Sequence, residues 1–595
     1  MVDRVEELKH LLDGDSLAKS VVHSYTTYDD NLTEKKKDWL ELRNYITATD
    51  TRSTSVGKNT NWKNSTTIPK LTQIRDNLHA NYMSALFPND NWLRWEAYSA
   101  EASDKRKRVA IQAYMENKTR EDNFRSVVSK LLYDWIDTGN VFAGVEFISE
   151  SFTDPTTEEV VVGYIGPRLV RYSPYDIRFN ATSTSFKNSP KITRYIKTLG
   201  ELEYEAANKP ELQYSKEIIE KVKETRSTLT TYTVDDFEKA EAYTIDGFGT
   251  LSDYYGSGYV EILEFEGDAY DPETDTYLPN HIITVVDRQF VIRKIPNPSW
   301  LGTSNKHHCG WRDRPDNLYA MGPLDNLVGL QYRVDHLENL KADALDLTIH
   351  PPLVIKGEVE PFEWGPFAEI RIPEDGDIKQ EPPNPAAFQV NNEIGYLMTL
   401  MEEMAGAPKE AMGIRTPGEK TMFEVQALQN AAGRLFQDKI LKFETEFLEP
   451  ILNTMLEVSR RNMEGGDVVR VMDDDLGVTD FIDITKEDIT AKGKLRPVGA
   501  RHYAARAQMM QNLTGVANSP IWQQIAPHIS SKALARQVEN LLQLERLDLV
   551  RDNVAVFEQA ETQGLVNQAQ EELQVQEITP GIEGEEEAEP VDLVQ

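Results

Sequence analysis

Gly413-Ile-Arg-Thr-Pro-Gly418-Glu-Lys420-Thr421 nearly spells a phosphate-binding cradle, with Glu419 inserted where the lysine should follow the second glycine. Such a cradle works because a buried strand delivers the loop and the next helix points its N-terminus at the phosphates. Here the preceding residues, IGYLMTLMEEMAG, have helical spacing, so no strand feeds the loop, and an acidic side chain beside a cradle repels a nucleotide. A loop closed by an N-cap at Thr416 or Thr421, with Pro417 in the first turn, fits better. Its cations, Lys409, Arg415 and Lys420, suit sparse, salt-sensitive contact with a polyanion, although Lys420 could instead pair with Glu424 and Arg415 could tie the loop to its own chain.

Two other clusters invite a metal. His307-His308-Cys309 offers two imidazoles and a thiol, but three consecutive residues cannot all converge on one tetrahedral centre and the chain has no second cysteine. A connector loop is the expected setting. Asp473-Asp474-Asp475 lacks the alternating ligand spacing of a calcium loop and is expected to be a solvated turn. There is no Gly-x-Ser-x-Gly elbow and no His-Glu-x-x-His, so no enzyme, cofactor or metal is expected.

The elements that must position these residues follow from periodicity. The chain has 595 residues, enough for several packed units, and 40% of them are hydrophobic. Its net charge is −34, and nine acids without a Lys or Arg fall in residues 571–595, so the body is acidic even without the tail. An acidic body argues against holding nucleic acid over a broad surface; if DNA is the partner, it moves past. Neither a signal peptide nor a membrane span is expected, and one cysteine excludes an internal disulfide.

Helical spacing is expected in residues 1–50, 67–87 and 101–138, with a basic polar loop between the first two that carries Arg52, Lys58 and Lys63, and Lys70 nearby. From Val141 the period becomes two. Residues 190–240 look helical, strands return through YVEILEFEG and HIITVVDRQFVIRKI, and 296–322 reads as an aperiodic connector. An apolar-striped helix over 323–349 stops at Pro351-Pro352, followed by a compact β-like insertion, PLVIKGEVEPFEWGPFAEIRIPEDGDIKQEPP. A short apolar helix, the basic loop and one long amphipathic helix occupy 391–459; in the last, Val425, Leu428, Ala432, Leu435, Phe436, Ile440, Phe443, Phe447, Ile451 and Met455 form a 3.6-residue stripe. Short strands are expected in 467–500 and helices in 501–571. Two helices that leave a body, hold a small module and return make a stalk.

The runs GWRDRPDNLYAMGPLDNLVGLQYRVDHLENLKADALDLTIHPPLVIKG (310–357) and MGIRTPGEKTMFEVQALQNAAGRLFQ (412–437) resemble the portal, or head-to-tail connector, proteins of short-tailed bacteriophages. GPRLVRYSPYDIRFN and KLRPVGARHYAARAQMMQNL are similar to flanking pieces of that family, and the resemblance covers roughly residues 65–520. It implies an α+β portal fold: an α/β wing over 1–322, a stem of two helices over 323–349 and 391–404, and a small β-containing clip over 350–390. A channel loop would span 405–420, a long wing helix with strands 421–500, a helical crown 501–571 and an acidic tail 572–595. It also implies a homo-oligomeric ring, usually dodecameric, at one capsid vertex of a virion assembled in the host cytoplasm. Double-stranded DNA would pass through it during packaging and ejection, and the terminase large subunit, tail adaptor or nozzle proteins and the major capsid protein would be its partners.

On that map Asp335, Glu338, Asp343 and Asp346 form an acidic channel lining that repels phosphate, or else pair with basic groups of neighbouring subunits. Lys409, Arg415 and Lys420 become the channel-loop cations. Phe362, Trp364 and Phe367 in the clip are contact residues for a neighbour, motor or adaptor, or else the mini-core of the insertion. A helical scaffolding or internal virion protein without a channel is the rival.

Overall fold

The computed structural model describes residues 16–48, 63–87, 92–98, 105–153, 160–209, 212–228, 237–247, 258–271, 275–349, 353–356, 377–380, 389–405, 435–463, 467–473, 478–490, 492–497, 534, 535 and 538. The chain divides into one unit up to His502 and a second from Tyr503; of the second only the helical positions Leu534, Ala535 and Val538 are described. The first unit mixes helix and sheet as an α+β protein does.

Alternation explains its larger sheet. β4 (Ile177–Phe179), β5 (Lys191–Thr198), β6 (Tyr259–Asp271), β7 (Thr276–Val286) and β8 (Phe290–Pro296) form an antiparallel sheet in chain order. Leu263 and Phe265 of β6 meet Leu17, Val21 and Val22 of helix α1 (Ser16–Asp30), whereas Val260 and Ile262 meet Leu202, Ile219 and Val222 on the other face. Those three belong to α6 (Leu199–Asn208) and α7 (Lys216–Thr228), so both faces are covered by helices. Within the stretch expected to be helical, Lys191–Thr198 is thus a strand, and helix begins only at Leu199. Thr198 is the N-cap: its hydroxyl accepts from the Glu201 N–H while the Glu201 carboxylate accepts from the Thr198 N–H.

A second sheet orders β3 (Val160–Tyr172), β2 (Asn140–Thr153) and β9 (Lys306–Gly310). β9 and the hairpin β10 (Arg312–Arg314) with β11 (Asn317–Met321) lie where an aperiodic connector was expected. Gly139, at φ +73°, turns the chain from helix α5 (Phe124–Asp137) into β2, and a Cβ there would meet the Gly322 backbone N at 2.3 Å.

The main core joins α5, α3 (Lys70–Leu86), α4 (Lys105–Glu121) and the helical segment 435–462. Trp135 packs edge-on to Tyr82 and against Phe443, and Phe436 stacks on Tyr82 with ring centroids 4.9 Å apart. The expected long helix is therefore present from residue 435, but it is not uniform. Phe443–Leu448 is a π-helical turn that closes with the Glu449 N–H on the Glu444 carbonyl, and α11 (Glu449–Asn462) follows. The cause is Pro450, which has no N–H to donate to the preceding turn. After it, β14 (Asp467–Asp473) pairs with β15 (Val478–Ile484), and α12 (Lys486–Ile489) leads to β16 (Gly493–Pro497). β16 pairs antiparallel with β1 (Leu93–Ala97), which ties the end of the unit to its beginning.

Candidate functional site

The remaining helices are α8 (Phe237–Ile245), α2 (Thr33–Thr47), α9 (Val328–Ile349) and α10 (Val390–Met404); the last two pack together. The helix expected from residue 323 begins at Val328. Val334 and Leu337 of α9 and Ile394, Leu397 and Met401 of α10 are buried in the main core, which anchors one end of the pair. Lys70, grouped with the basic loop by sequence, is instead a buried ion-pair partner of Glu402 on α10. Beyond the other end of α9, β12 (Leu353–Lys356) pairs antiparallel with β13 (Asp377–Gln380), from Leu353↔Gln380 to Lys356↔Asp377. There Leu345, Leu347, Ile349, Val354 and Ile355 are exposed, Ile349 to 69%.

One face of α9 carries a ladder of side chains that holds the extended segment 63–69 and the start of α3. Gln331, Asp335, Asn339 and Asp343 recur every fourth residue, a rise of about 6 Å per step. Two residues of extended chain advance by about 6.6 Å, so successive rungs meet successive alternate backbone groups. The Asn64 N–H donates to Asp343 at 2.9 Å, the Thr66 N–H to Asn339 at 2.8 Å and the Ile68 N–H to Asp335 at 3.0 Å. The rungs descend the helix as the segment ascends.

Asn339 and Gln331 also donate back, to the Thr66 and Ile68 carbonyls at 3.0 and 2.6 Å. Asp343 further accepts from the Lys63 N–H and the Asn64 side chain, and Asp346 from that same amide. The helix face therefore satisfies the segment as a neighbouring strand would.

This ladder removes Asp335 from the expected acidic lining and gives the other three acids partners within the chain. Asp335 is 2% exposed and cannot line a channel; its carboxylate is a rung. Burial raises its pKa to about 6, against the lowering effect of the Ile68 N–H and Gln331. Asp343 and Asp346 are engaged by residues 63 and 64 of the same chain, and Glu338 pairs with Lys341 one turn away. The spacing of Gln331, Asp335, Asn339 and Asp343 was the available signal: a polar stripe of hydrogen-bonding side chains, opposite a polar segment that ends at Pro69.

Lys409, Arg415 and Lys420 lie outside the described residues, as do Phe362, Trp364 and Phe367. His307, His308 and Cys309 do not form a connector loop: they are consecutive residues of β9. His307 meets the Thr454 hydroxyl at 2.9 Å, His308 meets Asn140 at 3.1 Å and stacks on Phe142, and Cys309 is buried in the main core. Burial lowers the two imidazoles to about 4 and about 3 and raises the thiol, which leaves uncharged packing groups. Asp473 ends β14, and Asp474 and Asp475 fall outside the described residues. Among the described residues no group of three or more His, Cys, Asp or Glu is placed to hold a metal ion, and no helix is long and apolar enough to cross a membrane. No protein-family model matches the chain, and neither does any curated protein.

Proposed function

We propose that the chain is the subunit of a bacteriophage portal, a ring at one capsid vertex through which double-stranded DNA is packaged and later ejected. The observation that carries this reading beyond the sequence resemblance is the apolar end of the paired helices. Leu345, Leu347, Ile349, Val354 and Ile355 are exposed in a single chain, on a 22-residue helix whose other end is fixed in the core and on the strand that follows it. Copies arranged around an axis would cover these apolar side chains from both sides, each copy meeting one neighbour with one surface and the next with another, as the heterologous contacts of a closed ring do. In this reading α9 and α10 are the stem and β12 with β13 is the base of the clip. The clip receives the terminase large subunit during packaging and tail adaptor or nozzle proteins afterwards, while the wing meets the major capsid protein in the virion. The chain does no chemistry of its own, and the ATP belongs to the motor.

The channel loop supplies the test of DNA contact. Replacing Lys409 and Arg415 together by Ala removes two phosphate-binding cations per subunit, and each lost contact weakens and flattens the salt dependence of non-specific binding. The rings should still assemble while packaged or retained DNA falls several-fold, measured as protected DNA per particle. Unchanged DNA content would remove this loop from the mechanism.

A further inference from the structure

A cavity of about 460 Å³ opens between α2, α3, α5, the chain after β3 and the end of α8. Three guanidinium groups line it, each held by one carboxylate. Arg75 donates through Nε and Nη2 to Asp137 at 2.6 and 2.7 Å, and Arg171 through the same two atoms to Asp134 at 2.5 and 2.7 Å. Arg43 does the same to Asp246, with Nε at 2.8 Å. In all three the paired edge is used up, and Nη1 has no hydrogen-bond partner among the described residues.

Pinning one edge by a carboxylate fixes the plane of a guanidinium and leaves its outer amino group pre-oriented, so little rotamer entropy remains to be lost when a ligand binds. The three pairs form one electrostatic cluster, because Arg43 also acts on the carboxylates of Asp134 and Asp137. Lys130 adds a fourth cation to the lining against the three aspartates, which leaves the cavity with a net positive charge in an otherwise acidic chain. Each guanidinium keeps three N–H donors, two on Nη1 and the outer one on Nη2, so its end-on fork stays open. Open forks from three separate elements offer more donors than the two oxygens of one carboxylate can take and suit an anion with oxygens in several directions.

From this arrangement we infer that the cavity binds a small phosphate-bearing anion, held by the Nη1 groups of Arg43, Arg75 and Arg171 with Lys130 alongside. Nothing in the DNA-channel reading requires this site, and either can fail alone. Titration calorimetry of the full chain at constant ionic strength, with inorganic pyrophosphate and separately with ADP against a sodium chloride control, tests it. One saturable event per chain is expected. Binding of both probes makes the phosphate group itself the recognised chemistry; binding of only one identifies free phosphate or a phosphate ester as the source.

Lys130→Glu changes an exposed residue and should weaken binding at least tenfold without altering the fold. Arg43→Gln should do the same and serves as the second variant, with circular dichroism confirming that each remains folded. Failure of both probes to bind saturably, or undiminished binding in both folded variants, overturns the assignment.

Discussion

Lys306→Met is expected to destabilise the protein by about 3 kcal/mol, although it exchanges one long side chain for another of similar length. Lys306 begins β9 in the smaller sheet, and its ammonium reaches Glu264 and Glu266 on β6 of the larger one, at 2.8 Å in each case. It is 4% exposed, so the substitution strands two carboxylates away from water rather than returning them to it. Arg293, 3.5 Å from Glu264, covers part of the loss, which puts the expected effect at the lower end for a broken buried pair. Burial would raise Glu266, but Lys306, Lys191 and the Ser304 hydroxyl outweigh it and hold the carboxyl below its ordinary 4.5; burial would lower Lys306, yet the two glutamates hold it above its ordinary 10.5.

The pH dependence follows from those directions. A depressed carboxyl stabilises above its unfolded pKa and ceases to do so as the pH falls through its folded value; a raised ammonium stabilises below its unfolded pKa and ceases to do so as the pH rises through its folded value. The full difference between wild type and Lys306→Met is therefore expected between about pH 5 and 10, where both groups are ionised in either state. Denaturant midpoints at pH 7.5 check the magnitude. A change below about 1 kcal/mol would mean that the two sheets are joined by packing alone.

Asp335→Asn is expected to act in the opposite direction and stabilise the chain by about 1 to 3 kcal/mol at pH 7.5. Asp335 is buried, its Oδ1 accepts the Ile68 N–H and the Gln331 amide, and its Oδ2 has no partner among the described residues. Burial dominates and raises the pKa from 3.8 to about 6, so at neutral pH the fold holds a charge that it disfavours. A carboxyl raised in the folded state contributes its stability in full below its unfolded pKa, and that contribution disappears as the pH rises through the folded value. Asn keeps an oxygen for the Ile68 N–H and carries no charge. Its advantage should be complete above about pH 6, shrink on acidification and vanish near pH 3.8. Thermal melts across that range check it, and a destabilised Asp335→Asn at pH 7.5 would show that the ladder requires the charge itself.

The mixed fold was legible in the sequence wherever one face of an element meets water or a different layer. β6 alternates because α1 lies on one side and α6 and α7 on the other, and the stripe through Phe443, Phe447, Ile451 and Met455 survives the π-helical turn before Pro450. β9 stayed hidden, because Cys309 and Gly310 are buried and His307 and His308 carry little contrast in hydrophobicity, so no period of two emerges. The acids of α9 misdirected as well. Counting charges along that helix suggests a repulsive wall, whereas the spacing of Gln331, Asp335, Asn339 and Asp343 encodes a receptor for backbone N–H groups. That partner is about 270 residues away in the chain, as the Thr66 and Asn339 pair illustrates, and local pattern carries no information at such a distance.

A portal subunit must close into a ring, and the exposed end of α9 with β12 is where neighbouring subunits would meet. Electron micrographs of the purified chain, averaged by class, test this most directly. The portal reading requires rings with a central hole and one rotational symmetry; monomers, or open filaments without a channel, would contradict it and favour a scaffolding or internal virion protein.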